Sequence, residues 1–284
     1  MAEVQQDGGD ALDPPEIAQK AVAEGVKSAS LSPARMLVMG LLAGAFIAFG
    51  GLFATTVAAG TGFLPYGATQ FLSGMVFTVG LAMVVVGGSE LFTGNTMTVP
   101  LAVIQREVTG AKLWANWGIV FVGNFIGSLA VAALVLLSGQ YTGGEGAVGA
   151  ESLATADAKA GLTFVEALAS GILANFLVCM AVWLAHSGRS TADKIIGLFL
   201  PIWAFVAADL EHSVANMYLV PIGLFIRDAA PDSFWSAIEA TPADYPNLTW
   251  DAFLLNNLLP ATIGNAIAGA LLVGLAYWFI FLRD

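Results

Sequence analysis

The sequence predicts an all-α polytopic membrane protein, with six transmembrane helices in two inverted three-helix repeats and broken second and fifth helices. Three observations predict it. Of 284 residues, 57% are hydrophobic and 11% charged, a balance outside that of ordinary soluble domains. Charged residues are missing between Arg35 and Glu90, Lys112 and Glu145, Glu166 and Arg189, and Asp251 and Arg283. Each stretch is long enough for at least one span of about 20 apolar residues. Finally, "ELFTGNTMTVP" (90–100) and "EHSVANMYLVP" (211–221) carry Glu, Asn and Pro at the same offsets, the mark of an internal repeat.

In chain order, residues 1–34 are expected to form a cytoplasmic tail with a short interfacial helix, and 35–284 the transmembrane domain. The leader lacks the basic start and short apolar core of a signal peptide. Its helix is expected from about Pro15, with Asp13 as cap and Ile17, Ala21, Val22 and Val26 on one side. It either lies passively on the membrane surface or gates what lies behind it. Spans follow at 36–60, 68–90, 114–138, 164–186 and 253–281, the first two divided by the turn chemistry of "TGFLPYG" (61–67). Gly87, Gly88 and Gly94 favour a break in the second, with 91–105 as a short continuation helix. The remaining span, 195–226, divides at "DLEH" into two uncharged pieces, 195–208 and 213–226. Each is about 21 Å long as helix, short of a hydrocarbon core about 30 Å thick. A helix broken inside the protein reconciles the lengths.

Cations set the orientation. With the N-terminus inside, Lys20, Lys27, Arg35, Arg106, Lys112, Arg189, Lys194 and Arg283 are cytoplasmic and only Lys159 and Arg227 external, which places both termini in the cytoplasm. The net charge of −11 comes largely from the tail and the outer loops. An acidic exterior repels anions at long range, so bulk charge does not argue for an anionic solute.

The repeats cover about 36–138 and 164–282. Besides the 90/211 pair, "GNFIGSLA" from Gly123 matches "GNAIAGAL" from Gly264, and "GLLAGAFIAF" from Gly40 weakly matches "ALASGILANF" from Ala167. Three spans per half reverse the second copy, and interrupted helices at matching places in inverted halves point to a binding site near the midplane. Backbone freed at a break must line a cavity or be clamped by polar side chains. Asn95, Asn216, Asn124, Asn265 and Asn175 suit that work; for Asn124 and Asn265, backbone bonding and contact with a solute both remain open.

"ADLEHSVANMYLVP" (208–221) holds the ionisable cluster. An ionisable group inside a membrane is costly and implies a role. His212 can exchange hydrogen bonds as imidazole or, as imidazolium, offer a proton to a small anion near neutral pH. A bare anion meets a large desolvation barrier in an apolar pore that its neutral acid avoids. Glu211, about 100° further round a helix, is expected to bond freed amides, like Glu90. Asp209 either caps the second half-helix or faces a vestibule. Cys179, the sole cysteine, reads as a packing residue, and His186 as an interfacial one. A membrane-embedded enzyme is the competing class. Two histidines and one cysteine supply no usual zinc set, and phosphate loops and nucleophile elbows are missing. Neither enzymatic activity, a metal, a cofactor nor a nucleic-acid partner is expected.

"GSELFTGNTM", "SGRSTADK", "LEHSVANMYLVPIGLFIRD" and "TIGNAIAGALLVG" resemble the formate/nitrite transporter family, most closely its formate channels, over roughly residues 30–283. The resemblance implies a homopentamer of aquaporin-like protomers in contact with membrane lipids, set in a bacterial inner membrane, with one pore each. It implies passage of small monovalent anions, formate first and nitrite or hydrosulfide as alternatives, coupled to protons. Carried over by position, His212 becomes the central pore histidine and Thr93 its partner, with Glu211 beside them. Phe77, Leu81, Leu91, Phe92, Val178 and Phe205 become apolar constrictions, Asn175 and Asn265 pore asparagines. Lys159 in "TADAKAG" becomes the vestibule lysine that draws the anion in. Formate channels of the family carry a small residue where Asp209 stands, a departure that bears on the histidine's proton affinity and on selectivity.

Overall fold

The computed structural model describes residues 11–62 and 64–283; the acidic stretch 1–10 and Phe63 of the expected turn lie outside them. The helices are α1 (Pro14–Ser30), α2 (Pro33–Ala58), α3 (Tyr66–Gly87), α4 (Phe92–Ile104), α5 (Gly110–Ser138), α6 (Ala147–Ala160), α7 (Phe164–Ser187), α8 (Thr191–Ala207), α9 (Ser213–Ala229), α10 (Asp232–Ala237) and α11 (Trp250–Phe281). Local chemistry sets their ends. Ser32, Thr109, Thr163 and Ser190 accept hydrogen bonds from the first turns of α2, α5, α7 and α8, satisfying amides that have no helical partner. Gly88 and Gly139, both with positive φ, close α3 and α5.

Five helices, α2, α3, α5, α7 and α11, are long and apolar enough to cross a membrane. The remaining crossing, fifth in chain order, is made jointly by α8 and α9, 17 residues each, separated at 208–212. The second crossing is broken in the same manner between α3 and α4. Pro100 and Pro221 sit at matching places inside α4 and α9.

Glycines let backbones touch where the halves are built. A Cβ on Gly44 or Gly127 would overlap the carbonyl of Asn124 or Leu41, locking α2 on α5; one on Gly264 would overlap the Leu168 carbonyl, locking α11 on α7. Helices α1 and α6 also hold equivalent places. Gly25 brings α1 against the Thr98 carbonyl of α4, and Gly223 of α9 leaves room for Ala156 of α6. α1 therefore has a docked face of Ile17, Ala18, Ala21, Gly25, Ser28 and Ala29, while Val22 and Val26 are half-buried at its edge. α11 contains two wide π-helical stretches, Phe253–Leu258 and Ala268–Leu275, a distortion frequent beside functional sites.

Candidate functional site

Each break exposes the amino end of a half-helix, and each is closed by the same set of side chains. Leu91 and His212 stand as the caps of α4 and α9 with nearly equal backbone angles, φ −108°, ψ 121° and φ −112°, ψ 115°. The residue after each cap donates its N–H to an asparagine: Phe92 to Asn124 Oδ1 and Ser213 to Asn265 Oδ1, both 2.9 Å. The Asn124 amide donates to the carbonyls of Gly40 (2.7 Å) and Glu90 (3.0 Å), and the Asn265 amide to those of Gly171 (2.7 Å) and Glu211 (3.1 Å). Asn265 thus commits its polar atoms to backbone and is fully buried. Of the two roles left open by sequence it has the clamping one, which corrects the expectation of solute contact.

The carboxylates brace the same breaks. Glu90 Oε2 accepts from Asn95 (2.7 Å), which also donates to Asn116 Oδ1 (3.0 Å). Glu211 Oε2 accepts from Asn216 (2.6 Å) and from Asn257 (2.7 Å), and Asn216 donates to Asn257 Oδ1 (2.7 Å). The outermost member differs. Ser28 of α1 donates its hydroxyl to Glu90 Oε1 at 2.9 Å, whereas Lys159 of α6 gives Glu211 Oε1 an ion pair at 2.6 Å. Asn116 and Asn257 then hold the backbone carbonyls of Ser28 and Lys159 respectively. Lys159 is only 7% exposed at its side chain and also pairs with Asp209 at 3.3 Å. It is the counter-ion of a buried carboxylate and at the same time lines a cavity with Asp209 and Glu211. Glu211 is likewise engaged in bracing through Lys159, Asn216 and Asn257.

Between the breaks, His212 Nε2 lies 2.9 Å from Thr93 Oγ1. Its Nδ1 accepts the Ala215 N–H at 3.1 Å, which leaves the neutral ring's proton on Nε2 and aims it at Thr93. The ring is buried and sits 5.6 Å from that of Phe205, itself edge-on to Phe77 at 5.5 Å. Asn175 donates to Asn265 O (2.6 Å), Thr96 Oγ1 (2.9 Å) and Thr93 O (3.3 Å), and Cys179 is buried beside the same Thr93 carbonyl. Among the described residues neither Asn175 Oδ1 nor Asn216 Oδ1 has a hydrogen-bond partner; of the two, Asn175 is the one beside Thr93.

Two cavities approach this centre. One of 240 Å³ is lined by Lys20, Ser28, Leu81, Glu90, Leu91 and His186 among others. The other, of 750 Å³, holds Glu151, Lys159, Glu166, Asp209 and Glu211, and a crevice of 90 Å³ beside it reaches Phe77 and Phe205. His212 and Thr93 line none of these. Leu81 and Leu91 line the first cavity and Phe77 and Phe205 the crevice. Val178 is buried on α7, one turn beyond Asn175. Phe92 packs its ring edge-on against Trp117 and Phe121 of α5.

Asn116, Asn257, Ser28, Thr96 and Ser170, whose hydroxyl accepts the Glu211 N–H at 3.0 Å, escaped sequence reasoning. A signal existed for the first two: Asn116 precedes Asn124, and Asn257 precedes Asn265, by the same eight positions. Ser28 and Lys159 share no residue type, and only their common geometry relates them.

A sequence profile described as formate/nitrite transporter matches residues 15–279. The formate channel FocA of Escherichia coli strain K12 is 42% identical over 97% of this chain and 96% of its own length. That of Haemophilus influenzae is 38% identical over 93% of each. A solved structure described as a pentameric formate channel with formate bound superposes with a TM-score of 0.82 at 36% identity, covering 88% of this chain and 98% of its own. These relatives are named as channels, not as enzymes.

Proposed function

The chain belongs to the formate/nitrite transporter family, and from that membership we propose that it is a formate channel in which His212 couples passage to protons. The observation that carries the reading is the pair formed by His212 Nε2 and Thr93 Oγ1, isolated between two cavities and two apolar pairs of side chains. A formate ion leaving either cavity sheds water at Leu81 and Leu91 or at Phe77 and Phe205. It then receives the Nε2 proton of His212 and the Thr93 hydroxyl as hydrogen-bond donors in place of hydration. A second proton on Nδ1 displaces the Ala215 N–H, and the negative charge of a bound anion offsets that loss. The ring therefore takes up the proton when formate is present and passes the one on Nε2 to it, so that the neutral acid crosses the dry segments.

The solved relative described as pentameric supports a homopentamer, and in this reading each protomer carries its own pore. In this reading the protein sits in a bacterial inner membrane, and the cations gathered around α1, where Lys20, Lys27 and Lys194 line one cavity, support cytoplasmic termini. The test is formate flux into proteoliposomes as a function of pH. His212→Phe removes both the donor and the cap and is expected to abolish or severely alter the pH-dependent flux. His212→Asn keeps a capping acceptor for Ala215 and removes the proton, so it should fold and still lose the pH dependence. Unchanged flux and pH profile in both would remove the histidine from the mechanism. Competition by nitrite and hydrosulfide in the same vesicles orders the three anions.

A further inference from the structure

The turn that ends the first half of each broken crossing shows one substitution that backbone chemistry alone does not favour. α8 closes with the Asp209 N–H on the Val206 carbonyl (2.9 Å) and the Leu210 N–H on the Phe205 carbonyl (3.2 Å), a paired closure whose left-handed residue is usually glycine. Here that residue is Asp209, with φ +50°. In the other half the matching residue, two before Glu90 as Asp209 is two before Glu211, is Gly88, with φ +74°. Asparagine and aspartate are the side chains that tolerate this region best, yet a position held at a disfavoured angle invites a functional reason.

The carboxylate supplies one. Asp209 is 61% exposed at its side chain and reaches back to Lys159 at 3.3 Å, whose other side is closed by Glu211 at 2.6 Å. Among the described residues, the charged groups lining this cavity are Glu151 and Lys159 from α6, Glu166 from α7, and Asp209 and Glu211 from the break, while α3 contributes Tyr66, Thr69 and Gln70. One ammonium faces four carboxyl groups. At the opposite end of the pore Lys20, Lys27 and Lys194 face Glu24 and Glu90. Burial, with a smaller contribution from the Asp209 charge, pushes the Glu151 carboxyl up from its usual range against the hydrogen bond from Thr155. That is mainly the response of a carboxyl withdrawn from water, to which the neighbouring carboxylate adds.

We propose that Asp209 is a specificity-determining residue of the α6-side vestibule: its carboxylate completes the neutralisation of Lys159 from the exposed side and restricts access of small carboxylate anions to the pore. Its charge lowers their local concentration; its removal leaves Lys159 with a single partner and the vestibule less negative. The proposal rests on the formate-channel reading and adds to it a residue that controls access from one side.

The test is initial formate flux in vesicles of uniform orientation, driven from the α6 side, for wild type, Asp209→Asn and Asp209→Gly. Asparagine keeps the shape and tolerance of the turn, and glycine relieves it, so a shared effect reports charge rather than backbone. At neutral pH and low salt both variants should admit formate about 3- to 10-fold faster than wild type, the lower range of what a charged cleft does to local ion concentration. The advantage should shrink in high salt, where the screening length falls below about 8 Å. Flux driven from the α1 side should change less. Equal rates for Asp209→Asn and wild type at low salt, or a gain that ignores salt, would overturn the proposal and leave the channel reading intact. A wild-type chain that moves no formate at all would overturn both.

Discussion

The two breaks are built alike and neutralised differently. In each, a carboxylate and three asparagines hold freed backbone: Glu90 with Asn95, Asn116 and Asn124, and Glu211 with Asn216, Asn257 and Asn265. Around Glu90 the last place is taken by the Ser28 hydroxyl; around Glu211 it is taken by the Lys159 ammonium. The shared part answers a demand both halves face, since amides and carbonyls inside a membrane must be satisfied by the protein. The differing part sits where each helix pair meets its own cavity, and there the chain is free to choose a neutral or a charged partner. What the contrast teaches is that the asparagines make the break, and the outer residue sets the charge that a solute meets.

The strongest way to break this comparison is to remove the outer residue where it is charged. Lys159→Met leaves Glu211 buried and ionised with amide donors alone, which should cost about 3–5 kcal/mol, because an orphaned buried charge loses far more than the pair contributes. Adding Glu211→Gln should recover most of it. Denaturant unfolding of the purified protein in micelles, followed by tryptophan fluorescence, measures both. A small loss for Lys159→Met alone would mean that Glu211 does not depend on its cation. Next in size, Asn124→Ala and Asn265→Ala each strip a break of three hydrogen bonds and orphan one buried N–H. Each should cost roughly 2–3 kcal/mol, and the two losses should agree. A marked inequality would show that one break is held by something the other lacks.

Much of this was legible in the sequence. Charge-free runs gave the crossings, the Glu-Asn-Pro offsets at 90–100 and 211–221 located both breaks, and the short uncharged pieces flanking "DLEH" fixed where the fifth crossing snaps. These signals survive because length and polarity are dictated by the bilayer, one residue at a time. The bracing partners were harder. Asn116 and Asn257 could be found from their common spacing to Asn124 and Asn265, but the pairing of Ser28 with Lys159 is a property of space: α1 and α6 dock on α4 and α9 through Gly25 and Gly223, with no shared residue to announce it. Phe92 shows a further limit. Position in a motif suggested a pore lining, but not the aromatic surface of α5 against which the ring packs.

A gentler probe acts on the neutral side. Ser28→Ala deletes one hydrogen bond to Glu90, whose other oxygen keeps Asn95, and should cost about 1 kcal/mol, several-fold less than Lys159→Met. Because Ser28 lies on α1, protease access to α1 should rise in parallel. Loss of stability without that change would mean the bond braces the break and does not hold the helix.

The smallest effect distinguishes backbone from charge at the two turns. Gly88 has nothing within 4 Å of where a Cβ would sit, so Gly88→Ala meets no packing conflict and pays only for the left-handed angle, about 1 kcal/mol. Asp209→Gly should gain a similar amount from relief of the same angle and lose the exposed side of its pair with Lys159, an interaction of about 0–1 kcal/mol when solvent screens it. The sum should lie between neutral and slightly stabilising. If Asp209→Gly instead destabilises by more than about 1 kcal/mol, the pair contributes more than an exposed pair can, and Asp209 belongs to the brace around Glu211 rather than to the electrostatics of the vestibule.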